Sequence, residues 1–299
     1  MLVTEQSIMI KNFEKYYQNS LFIRKFEELL LRLFNLGLLN GTTHTSIGQE
    51  LIAVTILDKI NTDDVVISNH RCHAHFLAYC NEADLLLKEL MGKSDGICNG
   101  IAGSQHIHYK NFYSNGVLGN LIPVSAGIAM SLKMSKKNSI VYIFMGDGVF
   151  GQGVVYETLN ICSLYNLKCL FIVENNKIAQ TTSIEDNFAG SFSGRFSSFG
   201  IENKELSFQN LDKFFFECEK AQNYILEKNR PFALIIDTER LSAHSKGDDT
   251  RSKEIIINLQ NQDPLKILEK KISSEKVDKI NKEIANKIDL LIKKNKINL

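Results

Sequence analysis

An α/β fold, a parallel sheet with helices on both faces, is predicted by three features of the sequence. Residues 140–145 and 169–173 are continuous apolar runs of strand length. Between them, residues 152–164 carry Val155, Leu159 and Cys162 at helical spacing. A strand–helix–strand unit of this kind sets its two strands side by side and parallel, with a right-handed crossover. Val65, Val66 and Ile67, and later residues 233–237, supply further short apolar strands.

The other elements follow in chain order. Residues 5–37 read as one long helix, with Phe13, Tyr17, Phe22, Phe26, Leu29, Leu30 and Leu33 near helical period and Gly37 as its stop. Ile47, Leu51, Val54 and Leu57 mark a second helix, and residues 83–91 a third. Residues 92–119 hold glycines at 92, 96, 100, 103, 116 and 119 and read as a long loop region, where function tends to reside. Pro123 opens a helix running to about Met134. From Pro264 onward, lysines alternate with spaced Ile and Leu, the pattern of an amphipathic helical tail. The expected organisation is an α/β domain over 1–263, N-terminal helix included, and a tail over 264–299. The pattern leaves open whether the tail packs on its own chain or belongs to an assembly surface.

A chain of 299 residues with 44% hydrophobic content can bury a substantial core. Its net charge of +1 gives neither nucleic acid nor an anionic membrane an electrostatic hold. No stretch approaches the roughly 18 apolar residues of a membrane span. No basic segment followed by an apolar run marks a signal peptide at the start. Cysteines at 72, 80, 98, 162, 169 and 218 form no C-x-x-C pair, which points to reduced thiols and a cytoplasmic location.

The chemistry concentrates in the strand–helix–strand unit. Ligands of open parallel sheets bind at the carboxyl ends of the strands. Asp147 sits just past the first strand and Asn176 just past the second. A carboxylate and an amide oxygen are hard donors, suited to Mg²⁺ or Ca²⁺ rather than zinc, and Mg²⁺ with few protein ligands completes its shell with water and phosphate oxygens. Gly146 and Gly148 allow a tight turn and a close approach of phosphate, and the next helix aims its positive end there. Gly-Asp-Gly and Asn-Asn are each ordinary turn sequences. Their placement after both strands of one unit is what indicates a Mg²⁺–diphosphate site. A metal site of His70, Cys72, His73 and His75 competes, but ligands so close in sequence rarely complete a tetrahedron. A Rossmann-like nucleotide site lacks both G-x-G-x-x-G and a Walker lysine.

Gly-Asp-Gly at 146–148 followed by Asn-Asn at 175–176 resembles the thiamine-diphosphate fingerprint. The surrounding residues resemble the α-subunit (E1 component) family of 2-oxo acid dehydrogenases acting on pyruvate, branched-chain 2-oxo acids and acetoin. His44 with Gly48-Gln49-Glu50 is similar to the family's H-x-x-x-G-Q-E, and the stretch from His70 to His75 to its T-H-R-G-H-G-H. Further matches to the family pattern run through Gly103-Ser104-Gln105-His106, Asn115 to Gly119, and Gln152 to Asn160. They continue at Arg195 with Phe199-Gly200, and at His244-Ser245 with Asp248 and Arg251. The matches keep their order over about residues 24–251, and all seven histidines fall within that span.

The resemblance implies a thiamine-diphosphate-binding fold and a division of labour. Asp147, Asn176 and the backbone carbonyl of Ile178 would ligate Mg²⁺. Arg71 and His70 would contact the diphosphate, whose oxygens a planar guanidinium suits. The backbone at Gly116 and Val117 would approach the aminopyrimidine ring. His44 and His244 would face the active site as donors or acid/base groups, His244 also toward the diphosphate. Ser245 matches a position phosphorylated in some members. The glutamate that activates the cofactor lies, in this family, on the aminopyrimidine-binding domain of a separate β subunit, so an α2β2 assembly is implied. The implied reaction decarboxylates a 2-oxo acid and passes the acyl unit to a lipoyl group on an acyltransferase. Cys72, Gln105 and residues 177–180 depart from the family pattern. A carboligase or split transketolase-like enzyme, delivering the unit to an aldehyde or ketone, stays open, as does a non-catalytic scaffold chain.

Overall fold

The computed structural model describes residues 5–39, 41–245 and 249–298. The chain begins with α1 (Glu5–Asn35), α2 (Glu50–Ile56), β1 (Val65–Ser68), α3 (His73–Cys80) and α4 (Ala83–Leu90). A hairpin follows, β2 (His108–Tyr109) and β3 (Phe112–Ser114), then α5 (Leu121–Met134) and β4 (Val141–Gly146). A 3₁₀ turn over Asp147–Gly151 leads into α6 (Gly153–Leu164) and β5 (Cys169–Asn175). Next come β6 (Ile178–Ala179), β7 (Thr182–Ser183), α7 (Ile184–Asn187), α8 (Phe192–Ser198) and β8 (Glu202–Leu206). The chain closes through α9 (Leu211–Lys228), β9 (Phe232–Asp237), α10 (Lys253–Asn261), α11 (Pro264–Glu269) and α12 (Ser274–Lys294).

These elements form two compact units. One comprises the residues up to Asp58, His73–Ser104 and those from Arg240 on; the other comprises Lys59–Cys72 and Gln105–Glu239. The units interleave along the sequence, and the tail expected over 264–299 folds in the first unit together with α1.

The first unit is helical, and α1 is its hub, touching α2, α3, α11 and α12. Its stripe of Phe26, Leu29, Leu30 and Leu33 is wholly buried. The helix ends as its glycine requires: Gly37 takes φ +71, and Leu38 N–H closes onto Leu33 O at 3.0 Å. Helix α12 buries Val277, Ile280, Ile284, Ile288 and Leu291, spaced by three and four residues, and lies along α1. Both helices of the tail, α11 and α12, thus pack on α1.

The second unit is a seven-stranded sheet in the order β2-β3-β1-β4-β5-β9-β8. Only β2 runs antiparallel to its neighbour. Alternate residues feed opposite faces. Val141, Ile143 and Met145 with Phe171 and Val173 pack against Ala126, Leu159, Phe192 and Phe196 on α5, α6 and α8. On the other face α9 meets β5 and β9, burying Phe214, Cys218, Ala221 and Ile225. The expected parallel sheet with helices on both faces is therefore present, and β4 and β5 are parallel neighbours in register from Val141↔Cys169 to Gly146↔Glu174.

Two expectations change. The Gly-rich region is not one long loop, because residues 108–114 form the β2–β3 hairpin. Its earlier part is organised by one buried carboxylate: Glu89 accepts from the N–H groups of Cys98, Gly100 and Ala102 at 2.7–2.8 Å. A Cβ at Gly96 would stand 2.6 Å from the Glu89 backbone, so glycine is required there. The helix around Pro123 starts two residues earlier, at Leu121, with proline inside its first turn where no N–H is needed.

Candidate functional site

The strand order places a topological switch between β1 and β4. From β4 the chain moves by α6 to β5 on one side, while β1 and β3 lie on the other. Crevices at the carboxyl ends of such strands are where ligands of open α/β sheets bind. A small cleft of about 20 Å³ lies there, lined by Ser68 at the end of β1, Asn69 and His70 just after it, Val117 and Leu118, and Met145 and Gly146 at the end of β4. Asn69 pins its floor: its Oδ1 accepts from Arg71 N–H at 2.8 Å, and its Nδ2 lies 3.5 Å from Phe144 O. Arg71 is buried and His70 half-buried.

Asp147 opens the 3₁₀ turn at the end of β4 and is buried, with Oδ1 accepting from Gly148 N–H at 2.8 Å. The flanking glycines do less turning than expected. Gly146 is extended at φ −81, and neither glycine adopts a left-handed conformation. Space is the reason for them. A Cβ at Gly148 would come 2.9 Å from Ala179 Cβ, whereas one at Gly146 meets nothing within 4 Å, leaving open room above the strand end.

Across the register, Asn176 follows directly after β5. Its Oδ1 accepts from Ile178 N–H at 3.3 Å, so the two residues expected to share one cation lie on one tight turn. Lys177 between them sits at φ +62, and Gln180 at +56. Left-handed backbone costs a non-glycine residue about 1 kcal/mol. The departure at 177–180 is therefore carried in strained backbone. Asn175 donates through Nδ2 to Asp237 Oδ1 at 2.7 Å, while its buried Oδ1 accepts no hydrogen bond. A carboxylate, an amide oxygen and backbone carbonyls make an all-oxygen donor set, which fits a small hard cation. Gly116 and Val117 lie in the same unit. Val117 N–H donates to Asn115 Oδ1 at 2.7 Å, its side chain is exposed, and the Gln105 side chain covers Gly116 so closely that a Cβ would lie 2.1 Å from Gln105 Oε1.

His44 and His244 belong to the first unit and meet edge-on, ring centroids 4.8 Å apart. Their loops are tied together by Thr45 Oγ1 and Ser242 Oγ at 2.8 Å and by Leu241 N–H to Ile47 O at 3.0 Å. Below His44, Glu27 is wholly buried and accepts from both Ser46 N–H (2.9 Å) and Ser46 Oγ (2.7 Å). Its other oxygen meets His73 Nδ1 at 3.1 Å. Arg251 holds the second loop through the carbonyls of Arg240 and Ser242 and a pair of contacts to Asp249. Asp248 lies outside the described residues. Arg240, itself buried, approaches His244 Nδ1 at 3.5 Å.

The His70, Cys72, His73 and His75 cluster does not form a metal site: among the described residues no three His, Cys, Asp or Glu side chains gather as a metal needs. His73 and His75 are buried, and His73 serves Glu27. Sequence reading passes over Glu27, Asn69 and Arg240, and gives Asn175 no role of its own. A signal existed for Glu27, an acid within the apolar stripe between Phe26 and Leu30.

Burial pushes the Glu27 carboxyl up, but His73 and the Ser46 donors outweigh it and hold it below the usual carboxylate range. Its ionisation therefore adds stability that is full above the ordinary glutamate pKa and drains away as pH falls through the lower folded value. In Glu27→Gln the acid limb of the stability curve flattens. Urea midpoints taken from neutral to acid pH test this, and an acid limb unchanged from wild type would refute it.

Residues 18–297 match the dehydrogenase E1 component family. The chain belongs to that family. It is 32% identical over 268 residues to the pyruvate dehydrogenase E1 component subunit alpha of Rickettsia felis, covering 88% of this chain and 82% of the relative. The same-named protein of Zymomonas mobilis is 34% identical over 264 residues, 86% and 75% of the two chains. A testis-specific mitochondrial form from Rattus norvegicus is 31% identical over 287 residues, 94% and 72%. The protein is an α-type chain of a 2-oxo acid dehydrogenase E1 component.

Proposed function

We propose that this α-type subunit holds the diphosphate end of thiamine diphosphate through Mg²⁺. With a β-type subunit in an α2β2 assembly, it decarboxylates a 2-oxo acid and passes the acyl unit to a lipoyl group of an acyltransferase. The observation that carries the reading is the position of Asp147 and Asn176 just past the ends of adjacent parallel strands, with Gly146, the neighbour of Asp147, lining the cleft at the switch point. Asp147, Asn176 and the carbonyl of Ile178 would supply the protein's share of the cation's oxygens. Arg71 and His70 would neutralise and orient phosphate oxygens, and backbone at Gly116 and Val117 would steady the far ring. Bound, the cofactor supplies a nucleophilic carbon and an electron sink. His44 and His244 would hold or move protons near the substrate, Glu27 fixing the loop of the first and Arg251 that of the second. Pyruvate, which the relatives' names specify, is the first substrate to try. Six cysteines that form no disulfide among the described residues support a reducing, cytoplasmic setting.

The test is the melting temperature of the chain with thiamine diphosphate and Mg²⁺, alone and with a β-type partner. Ligand at about 100 times Kd stabilises the native state by roughly 2.7 kcal/mol. The shift is expected to need Mg²⁺ and to vanish in Asp147→Ala. A shift that ignores Mg²⁺ or survives that substitution overturns the assignment.

A further inference from the structure

A second cavity lies at the opposite end of the sheet, where β4 and β5 begin. It measures about 330 Å³ and is lined by Lys133, Lys136, Lys137 and Lys168, with Asn138 and Asn166 among its other polar groups. No carboxylate lines it. The turns that close α5, α6 and α9 shape its rim, with Lys136, Asn166 and Asn229 all left-handed at φ +54, +47 and +54.

Lysines near helix carboxyl ends have a plain explanation, since they satisfy terminal carbonyls and the helix dipole. Lys133 does this, reaching Tyr165 O at 2.5 Å. Lys168 is held by Asn138 Oδ1, and Lys137 pairs with Asp63 at 3.1 Å. Lys136 makes no ion pair or side-chain hydrogen bond among the described residues. Charge counting then decides the matter. Four ammoniums face one carboxylate and three helix ends worth about half a negative charge each, which leaves an excess of about one and a half positive charges. A chain whose whole net charge is +1 thus concentrates that excess around one concave site.

We propose that this cavity binds a polyphosphate group, free or at the end of a nucleoside, independently of the Asp147 site. Several phosphate oxygens can meet separate ammoniums, which act as point charges with freely oriented donors. The asparagines add neutral donors, and Ala129 and Leu132 give the cavity an apolar wall.

The experiment is calorimetric titration of the full chain with inorganic triphosphate, without Mg²⁺ and at low salt, with ATP as a second arm. The expected Kd is below about 1 mM and rises with ionic strength. Lys136→Gln combined with Lys168→Gln weakens binding at least about tenfold while the melting temperature of the unliganded chain holds. Asp147→Ala leaves binding unchanged. ATP binding more tightly than triphosphate assigns the site to a nucleotide, and equal or weaker ATP binding assigns it to the bare polyphosphate. Binding that ignores the lysine pair, binding lost in Asp147→Ala, or no heat up to about 10 mM overturns the proposal.

Discussion

Asp147→Asn, assayed with a β-type partner, lowers turnover by a factor on the order of 10²–10⁴ and raises the Mg²⁺ concentration needed for half activity. The substitution keeps the side chain's volume and an oxygen able to accept from Gly148 N–H, so the turn persists. What disappears is the negative charge at a buried position. Removing one partner of a buried charge pair costs about 3–5 kcal/mol, the factor stated above. Without ligands the variant is expected to be no less stable than wild type, because the substitution removes the cost of burying an ionised carboxylate. Steady-state assays across Mg²⁺ concentrations, with a melting curve of the unliganded variant, separate the two effects. An unaltered Mg²⁺ requirement would remove Asp147 from the metal's shell.

The second large effect is on stability. Arg24 on α1 sits between two buried carboxylates, with Nε 2.5 Å from Glu50 Oε1 and Nη1 2.8 Å from Asp263 Oδ2. Arg24→Met leaves both acids buried without their cation, a loss of about 3–5 kcal/mol. Burial outweighs the attraction of Arg24 and holds the Glu50 carboxyl above its ordinary value, whereas Arg24 itself, more exposed, is driven up by Glu50 and Asp263. A raised carboxyl contributes stability that is full below the unfolded pKa and is lost as pH rises through the folded one. Losing Arg24 drives Glu50 higher still, so the penalty is greater at about pH 8 than at about pH 5. Equal penalties at the two values, from urea unfolding, would show that Glu50 does not depend on Arg24.

Sequence legibility followed the sheet. The apolar runs of β4 and β5 announced themselves because both faces of those strands are covered. The edge strand β8, Glu-Asn-Lys-Glu-Leu, shows mixed burial and no such run. Helix α3 escaped for the opposite reason: five of its eight residues are buried, so no polar face sets a period. Helix α9 went unread as well, although its buried Phe214, Cys218, Ala221 and Ile225 lie at helical spacing. At the site, Asp147 and Asn176 were legible because strand ends fix where the next residue goes. Glu27 and Asn69 were not, because their work is to hold other loops, and that depends on contacts made 19 and 75 positions away.

The packing of α12 along α1 has a consequence for how the molecule is made. Helix α1 leaves the ribosome ahead of the sheet, yet two of the four helices that pack on it, α11 and α12, emerge only after residue 263. The sheet unit, by contrast, is complete at Glu239. Helices α2 and α3 can cover part of α1 early, but the side that meets α11 and α12 stays open until the end of elongation, the kind of surface that chaperones shield. A message cut short before Ser274 would release a product with a finished sheet and an open, adhesive first helix.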